Sequence, residues 1–319
     1  MADAEPTQPR AISGTLRAVV SALRLHQWVK NLLVVAPLAG AHRLGSWDDL
    51  ARVAVAFVSF GCVASGVYVL NDLMDVADDR VHPRKRMRPF ASGALSSTTG
   101  HILWPCTTLV GMGLASATLP PAFAVVLAAY FLLTLAYSFK LKRIPILDVV
   151  TLAALYTARL AGGAVAVPVP LSFWLTIFSV FLFTSLAFVK RHAEVGAKPA
   201  DSGADSGPGP LPGRGYVAAD LPVVGALGAA SGYIAVLVYA LYIQDPVTAT
   251  LYRTPRLLWI GCPVLLFWIS RVWLVTARGG MHDDPVVFAI RDRTSWWVGA
   301  LLAATMALAT RYDWTGWGR

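Results

Sequence analysis

The chain is predicted to be an all-α, polytopic membrane helical bundle of about nine transmembrane helices. Three observations predict it. Hydrophobic residues make up 56% of the 319 and charged residues only 14%, where soluble domains carry about 25% charged residues. Apolar runs of near-spanning length alternate with short basic clusters, the pattern of membrane helices joined by charged loops. Nineteen of the 27 Lys and Arg fall on the side that a nine-span count assigns to the N terminus, and six on the other, a bias expected of cytoplasmic loops.

Residues 1–29 are polar and basic and read as a cytoplasmic N-terminal segment, without the short apolar core and small-residue cleavage site of a signal peptide. The nine spans fall near 30–45, 51–70, 98–117, 119–138, 146–167, 172–189, 217–243, 256–275 and 295–311. The first is the weakest and partly interfacial. Leu119-Pro120-Pro121 leaves room only for a tight hairpin between the third and fourth. Residues 30–319 thus form one transmembrane catalytic domain, broken by the Gly/Pro/Ser/Asp-rich stretch 196–215, which reads as a flexible cytoplasmic loop. The net charge of +9 does not point to nucleic acid, because the basic residues sit at helix ends, where lipid and topology account for them. Cys62, Cys106 and Cys262 lie singly in apolar stretches, which excludes a zinc or disulfide framework.

The most informative segment is 71–93, NDLMDVADDRVHPRKRMRPFASG, directly after an apolar helix. Asp72, Asp75 and Asp79 are spaced three and four apart, so on a helix they share one face, and Asn71 can join them. Crowded carboxylates call for a hard divalent cation, and magnesium binds through carboxylates together with substrate phosphates. Arg80, Arg84, Lys85, Arg86 and Arg88 supply phosphate-binding cations. Pro83 and Pro89 stiffen the turn, and Gly93 allows close backbone approach. The simpler reading is a solvated charged loop; the spacing, the leading Asn and the following basic run favour a metal–phosphate site.

Other basic clusters share the predicted membrane face. Tyr137-Ser138-Phe139-Lys140-Leu141-Lys142-Arg143 reads as an interfacial anchor and as a phosphate contact. Asp148 and Arg159 enter the fifth span, where ionisable residues are functional candidates. Three helical turns apart, they are placed to line one polar cavity, or else to cap the helix and to hydrogen-bond within the bundle. Lys190-Arg191-His192-Ala193-Glu194 offers a Lys190–Glu194 pair at i, i+4 or a second polar patch; His192 is not assigned as a base. His282-Asp283-Asp284 is weak as a metal motif, and Asp284-Pro285 reads as a helix start with a structural role. Before the first span, Trp28 fits an interfacial anchor, and Lys30 and Asn31 are within reach of a headgroup-level site.

Asn71-Asp72-x-x-Asp75-x-x-x-Asp79, with Arg88-Pro89 and Ser92-Gly93, resembles the first aspartate-rich motif of the UbiA prenyltransferase superfamily. The resemblance covers nearly the whole chain. Gln27-Trp28-Val29-Lys30-Asn31, Tyr137-Ser138-x-x-Leu141-Lys142, Arg159-x-Ala161-Gly162-Gly163 and Lys190-Arg191-x-Ala193-Glu194 are similar to its decaprenyl-phosphate phosphoribosyltransferase branch. That resemblance implies a UbiA-like bundle in the plasma membrane with its active site on the cytoplasmic side. It implies a Mg2+-dependent glycosyltransferase that moves 5-phosphoribosyl from phosphoribosyl pyrophosphate to a polyprenyl phosphate, for cell-wall arabinan precursors. Asn71, Asp72, Asp75 and Asp79 are then the metal ligands. Asp72, Asp75, Asp79, Lys30 and Lys142 are catalytic. Asn71, Arg80, Arg86, Arg88, Tyr137, Lys140, Asp148, Arg159, Lys190, Arg191 and Glu194 bind substrate. One departure is informative: where superfamily members carry a second aspartate-rich motif, Glu194 is here the one carboxylate among three basic groups. That suits an extra anionic phosphate better than a second metal set. A prenyltransferase acting on an aromatic or tetrapyrrole acceptor and a transporter are the rival readings, and a homo-oligomer is left open.

Overall fold

In a computed structural model, residues 10–83, 85–167, 169–196, 215–281 and 284–313 are described. Arg84, His282, Asp283 and nearly all of the 196–215 stretch lie outside them. The helices are α1 (Arg10–Leu23), α2 (Ala36–Gly40), α3 (Trp47–Met74), α4 (Val76–Val81), α5 (Ser97–Thr118), α6 (Pro121–Phe139) and α7 (Leu147–Ala166). They continue with α8 (Phe173–Gly196), α9 (Leu221–Gln244), α10 (Pro246–Ala249), α11 (Gly261–Ala277), α12 (Pro285–Arg291) and α13 (Arg293–Arg311). There is no strand among the described residues, so the all-α prediction stands.

Among the described residues, six segments are long and apolar enough to cross a membrane: α3, α6, α7, α8, Ala218–Gln244 and Pro255–Ala277. The chain is a multi-pass membrane protein, and these six account for part of the nine spans expected. α5 and α13 occupy two further predicted spans without joining that set. The first predicted span differs outright. It is a 3-10 segment, Leu25–Val35, running into the five-residue α2. Lys30 and Asn31 are buried in it, and a buried ammonium and amide need polar partners inside the protein rather than lipid. The Pro120-Pro121 hairpin holds: α5 ends at Thr118 and α6 starts at Pro121.

The chain divides into two compact units. The first comprises residues 1–138 and 159–170, the second 139–158 and 171–319. In the first, α3 is the central helix. Ser46 caps its N terminus by accepting from the Asp49 N–H at 3.3 Å. It packs against α5 at glycine contacts, where a Cβ on Gly66 would lie 2.2 Å from Thr108 Oγ1 and one on Gly111 2.8 Å from the Ser59 carbonyl. Small residues bring membrane helices this close. α1 buries Ala22 against Val69, Phe90 and Leu95. In the second unit, Val149, Ala187, Phe188, Tyr216 and Val224 form a core cluster.

Candidate functional site

The aspartate segment does not stay on one helix. α3 ends at Met74, Asp75 turns away from helical geometry (φ −92°, ψ 7°), and α4 restarts at Val76. Asp72 and Asp79 are buried, Asp75 is half-buried at the break and Asp78 is exposed. Arg88 bridges the two buried carboxylates: one Nη1 lies 3.2 Å from Asp72 Oδ1 and 2.7 Å from Asp79 Oδ2. Arg24 Nη2 approaches Asp72 Oδ1 at 2.5 Å, and its guanidinium lies over the Tyr68 ring at 5.2 Å.

Local folding explains why Arg88 arrives there. Phe90 and Leu95 are buried against Val69, which pins the loop back onto the end of α3. Gly93 adopts φ +79° with nothing within 4 Å of its would-be Cβ. It therefore serves a left-handed turn, not the close backbone approach expected of it. Arg24 itself sits in left-handed geometry (φ 50°) at the start of the 3-10 segment. There Ser65 Oγ donates to the Leu23 carbonyl at 2.7 Å and accepts from Trp28 Nε1 at 2.9 Å. Trp28 is thus a packed hydrogen-bonding residue of this junction. Arg80 and Arg86, predicted beside Arg88, are exposed.

Asn71 Nδ2 donates to Ser138 Oγ at 3.0 Å, placing Asn71 with the residue after half-buried Tyr137. Arg159 is buried and donates through Nε to Asn31 Oδ1 (2.9 Å) and through Nη2 to the Tyr130 hydroxyl (2.7 Å). Asn31 Nδ2 in turn donates to the Phe57 carbonyl at 3.3 Å. Gly163, one turn on from Arg159, lets Val34 approach: a Cβ there would sit 2.1 Å from the Val34 carbonyl oxygen. Arg159 therefore belongs with the 3-10 segment that carries Lys30.

Asp148 belongs to the second unit. It is fully buried, as is Arg191, and the two form a close ion pair, Nε to Oδ2 at 2.5 Å, off the line of an aligned hydrogen bond. The Tyr216 hydroxyl donates to Asp148 Oδ1 at 2.8 Å and accepts from the Ile146 N–H at 2.7 Å. Burial, reinforced by the Asp148 carboxylate, pushes the Tyr216 phenol well above its ordinary value, so it stays a donor. Ile146 takes φ +67°, a left-handed geometry that is costly for a β-branched residue.

Arg191 also pairs with Glu194. Lys190 Nζ meets Asp284 Oδ2 at 3.3 Å. Arg191 lies inside and draws in the carboxylate three residues on. Asp284 caps α12, as its sequence suggests, yet it also accepts from the Tyr156 hydroxyl at 3.2 and 3.3 Å. Lys142 is half-buried in the 3-10 turn Leu141–Arg143, and Lys140 is exposed before it.

No group of three or more His, Cys, Asp or Glu that could hold a metal forms among the described residues. Asp72 and Asp79 are nevertheless hard oxygen donors, buried and converging on one cation, which suits a divalent ion. Sequence reasoning left Arg24 and Tyr130 out of this site, and Tyr156, Tyr216 and Asp284 out of the α8 cluster. Arg24, the second partner of Asp72, and the partners of Asp148 and Lys190 are far away in sequence, and no spacing rule signals them.

The family model described as "UbiA prenyltransferase family" matches residues 32–291. The chain is 37% identical over 292 residues to "Uncharacterized protein y4nM" of Sinorhizobium fredii, covering 91% of this chain and 55% of that protein. This chain therefore spans little more than half of that relative's length. It is 38% identical over 282 residues to "Nodulation protein NoeC" of Azorhizobium caulinodans, covering 86% and 87%. It is 31% identical over 316 residues to "Decaprenyl-phosphate phosphoribosyltransferase" of Mycobacterium tuberculosis, covering 96% and 98%. Among solved structures, a UbiA homolog from Archaeoglobus fulgidus bound to DMAPP and Mg2+ matches with a TM-score of 0.66. The match covers 91% of this chain and 99% of that one at 14% identity, which shows the fold alone.

Proposed function

This chain belongs to the UbiA prenyltransferase family, and from that premise we propose that it transfers 5-phosphoribosyl from phosphoribosyl pyrophosphate to a polyprenyl (decaprenyl) phosphate, releasing pyrophosphate. The observation that carries this reading is the end of α8. Its one carboxylate, Glu194, is engaged by Arg191, and the Lys190 ammonium, 28% exposed, is a cation there that a substrate phosphate can reach. An accessible ammonium suits an added phosphate. The end-to-end match to the mycobacterial phosphoribosyltransferase supports the same choice.

In this mechanism Asn71, Asp72, Asp75 and Asp79 would hold Mg2+, which would offset the charge of the leaving pyrophosphate. Arg80, Arg86 and Arg88 hold phosphate oxygens. Lys30, Lys140, Lys142, Lys190 and Arg191 neutralise the lipid phosphate or the ribose 5-phosphate; Arg191, being buried, acts by field rather than contact. Asp148 and Glu194 hold Arg191, Arg159 holds Asn31 next to Lys30, and Tyr137 is assigned to substrate contact. A lipid phosphate oxygen bonds to the anomeric carbon as its bond to pyrophosphate breaks, and pyrophosphate leaves with the electron pair. The nucleophile is already anionic, so no strong base is required. The product is a precursor for cell-wall arabinan, made at the cytoplasmic face of the plasma membrane, a placement supported by the basic-residue bias.

The test is incubation of the detergent-purified protein with Mg2+, a polyprenyl phosphate and radiolabelled phosphoribosyl pyrophosphate. Label passes to the lipid phase, and Asp72→Asn abolishes it. Prenyl transfer from a prenyl diphosphate to an aromatic acceptor, without labelled lipid, replaces this reading with the second one, which the family match supports.

A further inference from the structure

We propose that Asp284 is a positioning residue for Lys190, fixing the ammonium that the preceding section assigns to a substrate phosphate; the proposal rests on that assignment. Asp284 is anchored before the lysine reaches it. Its Oδ1 accepts from the Val286 N–H at 3.2 Å, which caps α12, and Pro285 occupies the first helical turn. Both carboxylate oxygens also accept from the Tyr156 hydroxyl. Tyr156 is itself buried and stacked on Phe183, with ring centroids 5.0 Å apart and planes 28° from parallel. A hydroxyl on a packed ring and a helix-capping N–H leave the carboxylate little freedom.

Lys190 has the opposite character. Its ammonium ends a flexible four-carbon stem, and its side chain is 28% exposed where that of Asp284 is 8%. A lone mobile cation samples many rotamers, and misplacement of a binding group lowers transfer steeply. The rigid carboxylate at 3.3 Å selects one of them. Asp148 and Glu194 both pair with Arg191. Asp284 comes from a segment 94 residues beyond Lys190.

Two measurements test this on the full-length protein in detergent. The first follows acetylation of Lys190 by acetic anhydride at neutral pH, read by mass spectrometry. Asp284→Asn keeps a capping side chain for α12 but removes the charge that holds the lysine in its ion pair, so the released amine is labelled several-fold more. The second is a double-mutant cycle on phosphoribosyl transfer. Asp284→Asn lowers kcat/KM about tenfold, mainly through KM, and Tyr156→Phe lowers it less. In the Lys190→Met background Asp284→Asn costs nothing further, because it acts through the missing ammonium. Unchanged labelling, or a full tenfold loss in the Lys190→Met background, overturns the proposal. If the wild-type protein transfers no phosphoribosyl group, the functional reading falls, and the labelling result alone decides the pairing.

Discussion

The two polar clusters put charge in opposite arrangements. Around Asp72 and Asp79 the carboxylates are buried, 3% and 2% exposed, while their partners Arg24 and Arg88 are 25% and 28% exposed. Around α8 both members of the Asp148–Arg191 pair are sealed at 0%, and the exposure lies with Lys190 and Glu194. The first cluster is an acidic floor under cations that solvent reaches, an arrangement in which one cation can give way to another. The second is a neutral buried pair that supports an outward lysine. An exchangeable layer suits metal and pyrophosphate, whereas a sealed pair suits a fixed scaffold.

The sharpest way to break this comparison is to unpair the sealed cluster. Arg191→Met leaves the Asp148 carboxylate buried without its cation and is expected to cost about 3–5 kcal/mol of stability, read by thermal unfolding in detergent. Adding Asp148→Asn recovers much of that loss. Arg24→Gln, in the exchangeable cluster, costs no more than about 1 kcal/mol. Equal losses for Arg191→Met and Arg24→Gln would show that the two clusters do not differ in kind.

The aspartates should show the reverse balance, with a large effect on chemistry and a small one on stability. Asp72→Asn lowers transfer by at least about a hundredfold, the upper limit for residues that only orient a metal's ligands, and the unfolding temperature barely moves. Chelation of divalent cations removes wild-type transfer in the same assay, and added Mg2+ restores it.

Tyr216 probes the scaffold more gently. Tyr216→Phe leaves the Ile146 N–H and Asp148 Oδ1 each short of a partner, for a loss of about 1–3 kcal/mol in the same unfolding measurement. A neutral result would mean that the left-handed Ile146 turn stands without the phenol.

The smallest effect is at Asp292, a surface-reached counterpart of the sealed pair. Burial pushes its carboxyl up, but hydrogen bonds from Arg271 at 2.8 and 2.9 Å, and from Ser295, outweigh it and hold the acid below its ordinary value. The folded state thus binds fewer protons than the unfolded one as pH falls through the unfolded value of about 3.9. This contribution is full above that pH and is lost as pH drops through the lower folded value. It amounts to less than about 1 kcal/mol. Unfolding temperatures between pH 5 and pH 3 should fall less steeply in Arg271→Gln.

Much of the site was legible because some signals are local. The Asn71-Asp72-x-x-Asp75-x-x-x-Asp79 spacing and the following arginines announce an acidic–basic cluster, and the structure brings Asp72, Asp79 and Arg88 together. What spacing could not show was which members converge. The break at Asp75 depends on how α3 ends, and Arg80 and Arg86 stay exposed while Arg88 is drawn in by Phe90 packing on Val69. The same limit explains Asp148 and Arg159, which share a helix and yet bind partners in different units.

By itself the sequence determined the class of the molecule. Low charge and long apolar runs make backbone hydrogen bonding inside helices the available solution in lipid, and the match of residues 32–291 sets the family. Only the tertiary structure decided that residues 25–40 are a 3-10 segment and a short helix instead of a span. It alone paired Arg191 with Asp148 and gave Lys190 to Asp284. Burial of one charge is settled by whichever opposite charge the packed helices deliver within about 4 Å, and the order of residues along the chain does not encode that distance.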